Sequence, residues 1–99
     1  MTGPDQDAAR EKLEALRRAF TGRLRERIEE LRQAVDAACR GEASAEQVES
    51  LAHKLSGTAG SYGFVEVGEI AADLEALCER GFQPDHARAL VDRLLSAMP

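Results

Sequence analysis

No tryptophan occurs in this sequence, and aromatic residues make up only 4% of it. A core of packed rings is therefore excluded, and the buried side must be built from Leu, Ala, Val and Ile. Prolines number only three, and strong helix formers run between them, which points to an all-α domain. No apolar run approaches the roughly 18 residues that would span a bilayer. The opening stretch Met1-Thr2-Gly3-Pro4-Asp5 lacks the basic-then-apolar pattern of an export signal, so a cytoplasmic location is expected, with no membrane partner. Cysteines are scarce as well. Cys39 and Cys78 fall on or beside apolar helix faces, where they give neither a disulfide framework nor a metal site and read as small reduced core residues. An excess of positive charge is also missing. The formal net charge of −5 argues against nucleic acid as the main partner.

What is present is 43% hydrophobic and 31% charged, a balance that folds and stays in solution. The 99 residues suit one domain, 1–99, with one modest core and with residues 1–5 frayed around Gly3 and Pro4. The charge is uneven: residues 10–32 are rich in Arg, and residues 66–79 are mainly acidic. Two solvated helix faces would explain this, and so would a basic strip that orients an acidic partner.

The apolar spacing predicts five helices. The first, from Gln6 to about Ala19, has Leu13, Leu16 and Phe20 as its stripe. Thr21-Gly22 then interrupts. Thr21 could cap a second helix, or the two could run on as one bent rod; a break is the expectation. The second helix, about 22–40, carries Leu24, Ile28, Leu31, Val35 and Ala38 and ends at Gly41. The third opens at Ser44, with Gln47 completing a capping box, and ends near Gly63. The fourth, about 65–79, carries Val67, Ile70, Ala71, Leu74, Leu77 and Cys78, with Gly68 at a close helix contact. The fifth starts near Pro84 and buries Ala87, Leu90, Val91, Leu94, Leu95 and Met98. Short connections between long helices imply antiparallel neighbours. The expected architecture is an antiparallel up-down four-helix bundle, with the additional N-terminal helix packed across one end. These stripes leave no large apolar patch, so a monomer is expected.

One stretch of the third helix stands apart: Ala52-His53-Lys54-Leu55-Ser56-Gly57-Thr58-Ala59-Gly60-Ser61-Tyr62-Gly63-Phe64. At roughly 100° per residue, Val48, Leu51, Leu55, Thr58, Ala59 and Tyr62 gather on the core side, and Tyr62 is expected in the core with its hydroxyl at the edge. His53 falls nearly opposite, with Gly57 and Gly60 on its own face. Each glycine weakens the helix by about 0.8–1 kcal/mol relative to Ala. The compensating gain is access, because another protein's backbone could then approach the imidazole closely. A neutral imidazole is a nucleophile. Nothing near His53 in sequence offers an acid cluster for Mg²⁺ or a glycine-rich nucleotide loop. His86 has no glycines on its face and reads as a plain surface residue. With His53 it would still lack a third metal ligand.

This pattern resembles the histidine-containing phosphotransfer (HPt) family of bacterial phosphorelays. The family motif, His-x-Leu-Lys-Gly followed by a small residue and a later Gly, reads here His53-Lys54-Leu55-Ser56-Gly57-Thr58, with Gly60 and Gly63-Phe64 following. The family often has Lys where Ser56 stands, and a Lys sits at position 54 instead. The resemblance covers nearly the whole chain from about residue 13 and implies a helical bundle. It implies that His53 is the phosphoacceptor, by analogy through Nε2, and that the chain relays a phosphoryl group to and from the aspartate of response-regulator receiver domains, fed by a hybrid histidine kinase. The chain would be a stoichiometric carrier and not an enzyme. It would need no cofactor of its own, the Mg²⁺ site belonging to the partner receiver. Lys54 and Ser56 flank His53; either could contact the phosphoryl group, Lys54 could meet acidic residues of a partner, or both could be simply solvated. Two other readings stay open: a phosphoacceptor module of a chemotaxis-type histidine kinase, and a helical binding adaptor whose histidine is never phosphorylated. Met1 and the short termini suggest a free-standing protein.

Overall fold

The first helix passes straight through Thr21-Gly22. In a computed structural model, which describes residues 3–99, α1 runs without a break over Pro4–Cys39, 36 residues. Thr21 does not cap. Its hydroxyl donates to the Arg17 carbonyl at 2.9 Å, one turn back, so its polar group is satisfied inside the helix. A single interior glycine costs only about 1 kcal/mol, and the helix formers on both sides outweigh it. Three shorter helices follow: α2 (Ala45–Ser61), α3 (Val65–Arg80) and α4 (Pro84–Ala97), with no strand among the described residues. Helix α1 begins at Pro4, within the segment 1–5 expected to fray, with Asp5 and Asp7 against the positive end of its dipole. Met1 and Thr2 lie outside the described residues.

An unbroken α1 cannot fold back across the bundle. At about 1.5 Å per residue it is roughly 54 Å long, close to the molecule's longest dimension of 57 Å, whereas the other two dimensions are 19 Å. Its outer half therefore projects. Every residue from Gly3 to Ala19 is exposed, including Leu13 at 62% and Leu16 at 50%. The stripe expected to pack across one end is uncovered, which removes the basis for expecting a monomer. Phe20 is where α1 meets the rest of the chain. Its ring stacks on Tyr62 with centroids 3.8 Å apart and planes 10° apart. Tyr62 is thus half-buried in a stack at the end of α2 and not in the core.

The second-helix stripe is buried as expected at Leu24, Ile28, Leu31 and Val35, with Ala38 packed against it. The α3 stripe, Val67 to Leu77, is buried too. In α4, Ala87, Leu90, Val91 and Leu94 are buried, but Leu95 is 46% exposed. In α2 the buried arc is Val48, Ala52, Leu55 and Ala59, whereas Leu51, Thr58 and Tyr62 are only half-buried. The arc is rotated from the one read off the sequence because α2 packs most extensively on α3. Gly68 makes that approach close: a Cβ on it would stand 3.4 Å from the Ser56 carbonyl oxygen and 3.6 Å from the Gly60 nitrogen. Helix α1 packs on α2 and α4, and α3 packs on α4, so the four helices form a ring around one aliphatic core.

The ends of the helices are set locally. Gly41 (φ 75°) and Gly63 (φ 82°) take the left-handed conformation that closes α1 and α2. In each case the next amide reaches back: Glu42 N–H to the Ala37 carbonyl at 2.8 Å, and Phe64 N–H to the Ala59 carbonyl at 2.9 Å. Ser44 and Gln47 form the expected capping box, both bonds being 3.2 Å.

Cys39 and Cys78 are free and half-buried. Burial, and then the nearby Glu49, Glu75 and Glu79 carboxylates, push the Cys78 thiol from 9.0 up to about 11. Only the thiolate reacts, so at pH 8 native Cys78 should carry about a hundredfold less of it than an unfolded cysteine. Iodoacetamide labelling followed by peptide mass spectrometry should therefore be much slower for native Cys78 than for Cys78 in urea. The gap should narrow as pH rises toward 11. Equal labelling rates at pH 8 would contradict this environment.

Candidate functional site

His53 sits in the middle of α2, on the edge that the rotated packing turns toward α3. Its side chain is 74% exposed, so nothing in the core depends on it. Its Nδ1–H donates to Oε2 of Glu75 on α3 at 2.7 Å. A carboxylate only accepts, so in the neutral ring this bond takes the proton on Nδ1 and the lone pair is on Nε2. No protein hydrogen bond reaches Nε2 among the described residues. Glu75 is itself only 23% exposed, anchored on the α3 flank beside α2.

The space over Gly57 and Gly60 is open. A Cβ built on Gly57 or Gly60 would meet nothing within 4 Å. Their lack of a side chain therefore serves no internal contact, unlike that of Gly68. On the side of His53 away from Glu75 lies an open groove of about 530 Å³, lined by Arg27 of α1, by His53, Lys54, Gly57, Thr58 and Ser61 of α2, and by Tyr62. Two cations line it and no carboxylate does. Ser61 is occupied, its hydroxyl donating to the Gly57 carbonyl at 3.0 Å.

Of the residues singled out in the sequence, His53, Lys54 and Gly57 meet at this groove, and Gly60 lies exposed one turn further on. Ser56 does not line the groove; it is half-buried, and its carbonyl faces Gly68. His86 is exposed at the start of α4, on a different helix from the groove. Sequence reasoning missed Glu75 and Arg27. Glu75 had a legible signal, since it and His53 stand equally far from Phe64 in the α2–α3 hairpin, which brings them level. Acids absent near His53 in sequence thus arrive from the next helix. Glu75 also belongs to a cluster in which single oxygens of Glu49, Glu75 and Glu79 lie within 4.8 Å of one another. Loss of hydration, and then Glu79, Glu75 and Glu46, hold the Glu49 carboxyl above its usual range.

The fold and site define a helical module with an exposed histidine on α2, set beside two bare glycines and hydrogen-bonded at one nitrogen. The family model described as Hpt domain matches residues 15–98, and the chain belongs to that family. No curated protein and no solved structure gave a match. Hpt domains are phosphocarrier modules of phosphorelay signal transduction, working with receiver domains and kinases. No described helix is long and apolar enough to cross a membrane.

Proposed function

We propose that His53 is the phosphoacceptor and that this chain relays a phosphoryl group between His53 and the aspartate of a receiver domain, in a phosphorelay fed by a hybrid histidine kinase. The observation that carries this reading is the state of the imidazole: Nδ1 held by Glu75, Nε2 free, and an empty face over Gly57 and Gly60. In the forward step Nε2 attacks the phosphorus of an aspartyl phosphate. The acyl phosphate P–O bond breaks and the aspartate leaves as its carboxylate. No proton need move, because the ring becomes cationic with its proton still on Nδ1, facing the Glu75 carboxylate. The reverse step regenerates the aspartyl phosphate. In this reading the chain is a stoichiometric carrier in the cytoplasm, the Mg²⁺ site belongs to the receiver, and residues 1–99 act as one domain.

The bundle is read as antiparallel and up-down. Supporting this, His53 is level with Glu75 and Ser56 with Gly68 across α2 and α3. Arg88, early in α4, approaches Asp36, late in α1, at 3.9 Å, while Arg25 bonds the Pro99 carbonyl at the far end.

Incubation with a phosphorylated receiver should place acid-labile, base-stable phosphate on the peptide containing His53. A protein that binds the receiver but never carries label would be an adaptor. Label acquired only from an ATP-bound kinase domain would fit the chemotaxis-type reading.

Glu75→Ala should leave the fold intact and slow transfer about tenfold, since a hydrogen bond to a charged group is worth about 1.5–3 kcal/mol and part of this one is screened by water. In ¹⁵N NMR the parent ring should show the proton on Nδ1, and the variant a mixture of tautomers. An unchanged spectrum and rate would remove Glu75 from the mechanism.

A further inference from the structure

We infer that Arg27, reaching across from α1, is a phosphoryl-binding residue that neutralises the group carried on Nε2 of His53. The inference rests on His53 being the phosphoacceptor. The imidazole stands between two unlike neighbours. On the α3 side a carboxylate, Glu75, takes the Nδ1 proton. On the α1 side the groove holds Arg27 and Lys54 and no acid. Arg27 and Lys54 make no hydrogen bond or ion pair with a carboxylate among the described residues, although acids are plentiful. Arg32, one turn along α1, is held by Glu29 and Asp36, and Arg40 by Glu42. A guanidinium that lines the same groove as the imidazole and makes no ion pair there suits a dianionic group with three acceptor oxygens. It is also fixed on a different helix from the one that carries the histidine. The Phe20–Tyr62 stack joins α1 to the end of α2 less than two turns before Arg27, and the Arg23 guanidinium lies 6.0 Å from the Phe20 ring centre, so this part of α1 is held in place against α2. Ser56, which does not line the groove, is not in a position to supply this contact.

Chemical phosphorylation tests the assignment without any partner protein. With phosphoramidate as donor, Nε2 bonds to phosphorus, the donor's P–N bond breaks, and ammonia leaves with the electron pair. Toward diethyl pyrocarbonate the same nitrogen bonds to a carbonyl carbon, the C–O bond to the bridging oxygen breaks and ethyl carbonate leaves as carbon dioxide and ethanol; this reagent is uncharged and carries no phosphoryl oxygens. Both reactions are followed at the His53 peptide by mass spectrometry. Arg27→Ala should take phosphate about three- to fivefold more slowly than the parent, as expected of one exposed charge contact. Arg27→Lys should recover most of the rate. In about 0.5 M salt the gap between parent and Arg27→Ala should close. Acylation by diethyl pyrocarbonate should proceed equally in all three proteins. Equal phosphorylation of parent and Arg27→Ala at low salt would overturn the assignment, as would a loss seen alike with both reagents, which would mean that Arg27 merely holds the ring. Slowing by Lys54→Ala but not by Arg27→Ala would move the role to Lys54 and overturn it too. If the parent itself took no phosphate on His53, the phosphoacceptor reading would fall, and this inference with it.

Discussion

His53→Gln should abolish phosphoryl acceptance and leave the bundle standing. The two expectations are separable because the side chain is 74% exposed and fills no part of the core. Among the described residues its side chain hydrogen-bonds Glu75, and a glutamine amide can still donate to that carboxylate. Stability should therefore change by no more than about 0.5 kcal/mol, as for most surface substitutions. Acceptance should fall to background, because an amide nitrogen is not a nucleophile and no second imidazole lies at the groove. Labelled transfer from a phosphorylated receiver, with thermal unfolding of both proteins, gives the two readouts. Transfer by the variant at the parental rate would rule out His53 as acceptor. Loss of transfer together with a collapsed melting temperature would show instead that His53 holds the bundle together.

The three glycines at the α2–α3 boundary should respond to the same substitution with opposite signs. Gly57 and Gly60 face open space, so Leu at either position adds a better helix former without a clash. The gain of about 0.8 kcal/mol should raise the melting temperature by roughly 3–6 °C in a domain of this size. The same side chain would stand over the approach to His53 and should cut transfer from a receiver by at least about tenfold, since displacement of the reacting atoms by about 1 Å can cost a hundredfold. Gly68 is different. Even a Cβ there already touches the backbone of α2 at 3.4 and 3.6 Å, so Gly68→Leu has no room for its branch. It should destabilise by about 1–3 kcal/mol or more, as overpacked cores do. Circular dichroism melts of the three variants and transfer assays on those that fold would test this. Strong destabilisation by Gly57→Leu with normal transfer would mean that the bare face has an internal purpose.

Much of this molecule is determined by the sequence alone. Leu24, Ile28, Leu31 and Val35 repeat at helical spacing, so a buried stripe was readable. Ser44 with Gln47, and the glycines at 41 and 63, mark helix ends because capping and left-handed turns are decided within a few residues. The face of His53 was readable for the same reason, since Gly57 and Gly60 share it whatever the helix packs against. Where the sequence misled, the deciding energy was not local. Thr21-Gly22 looks like a break, yet the helix formers on either side keep α1 whole, and the Thr21 hydroxyl is satisfied at the Arg17 carbonyl. Once whole, α1 outruns its partners, and Leu13 and Leu16 are left uncovered. The buried arc of α2 was shifted by its close contact with α3, which exchanged Tyr62 for Ala52 in the core. The surroundings of His53 were decided last. Glu75 is 22 positions away in sequence and Arg27 lies on another helix. Only the tertiary packing of α1, α2 and α3 sets a carboxylate on one side of the imidazole and an arginine on the other. Periodicity places a residue on a face; it does not say which charges the neighbouring helices bring to that face.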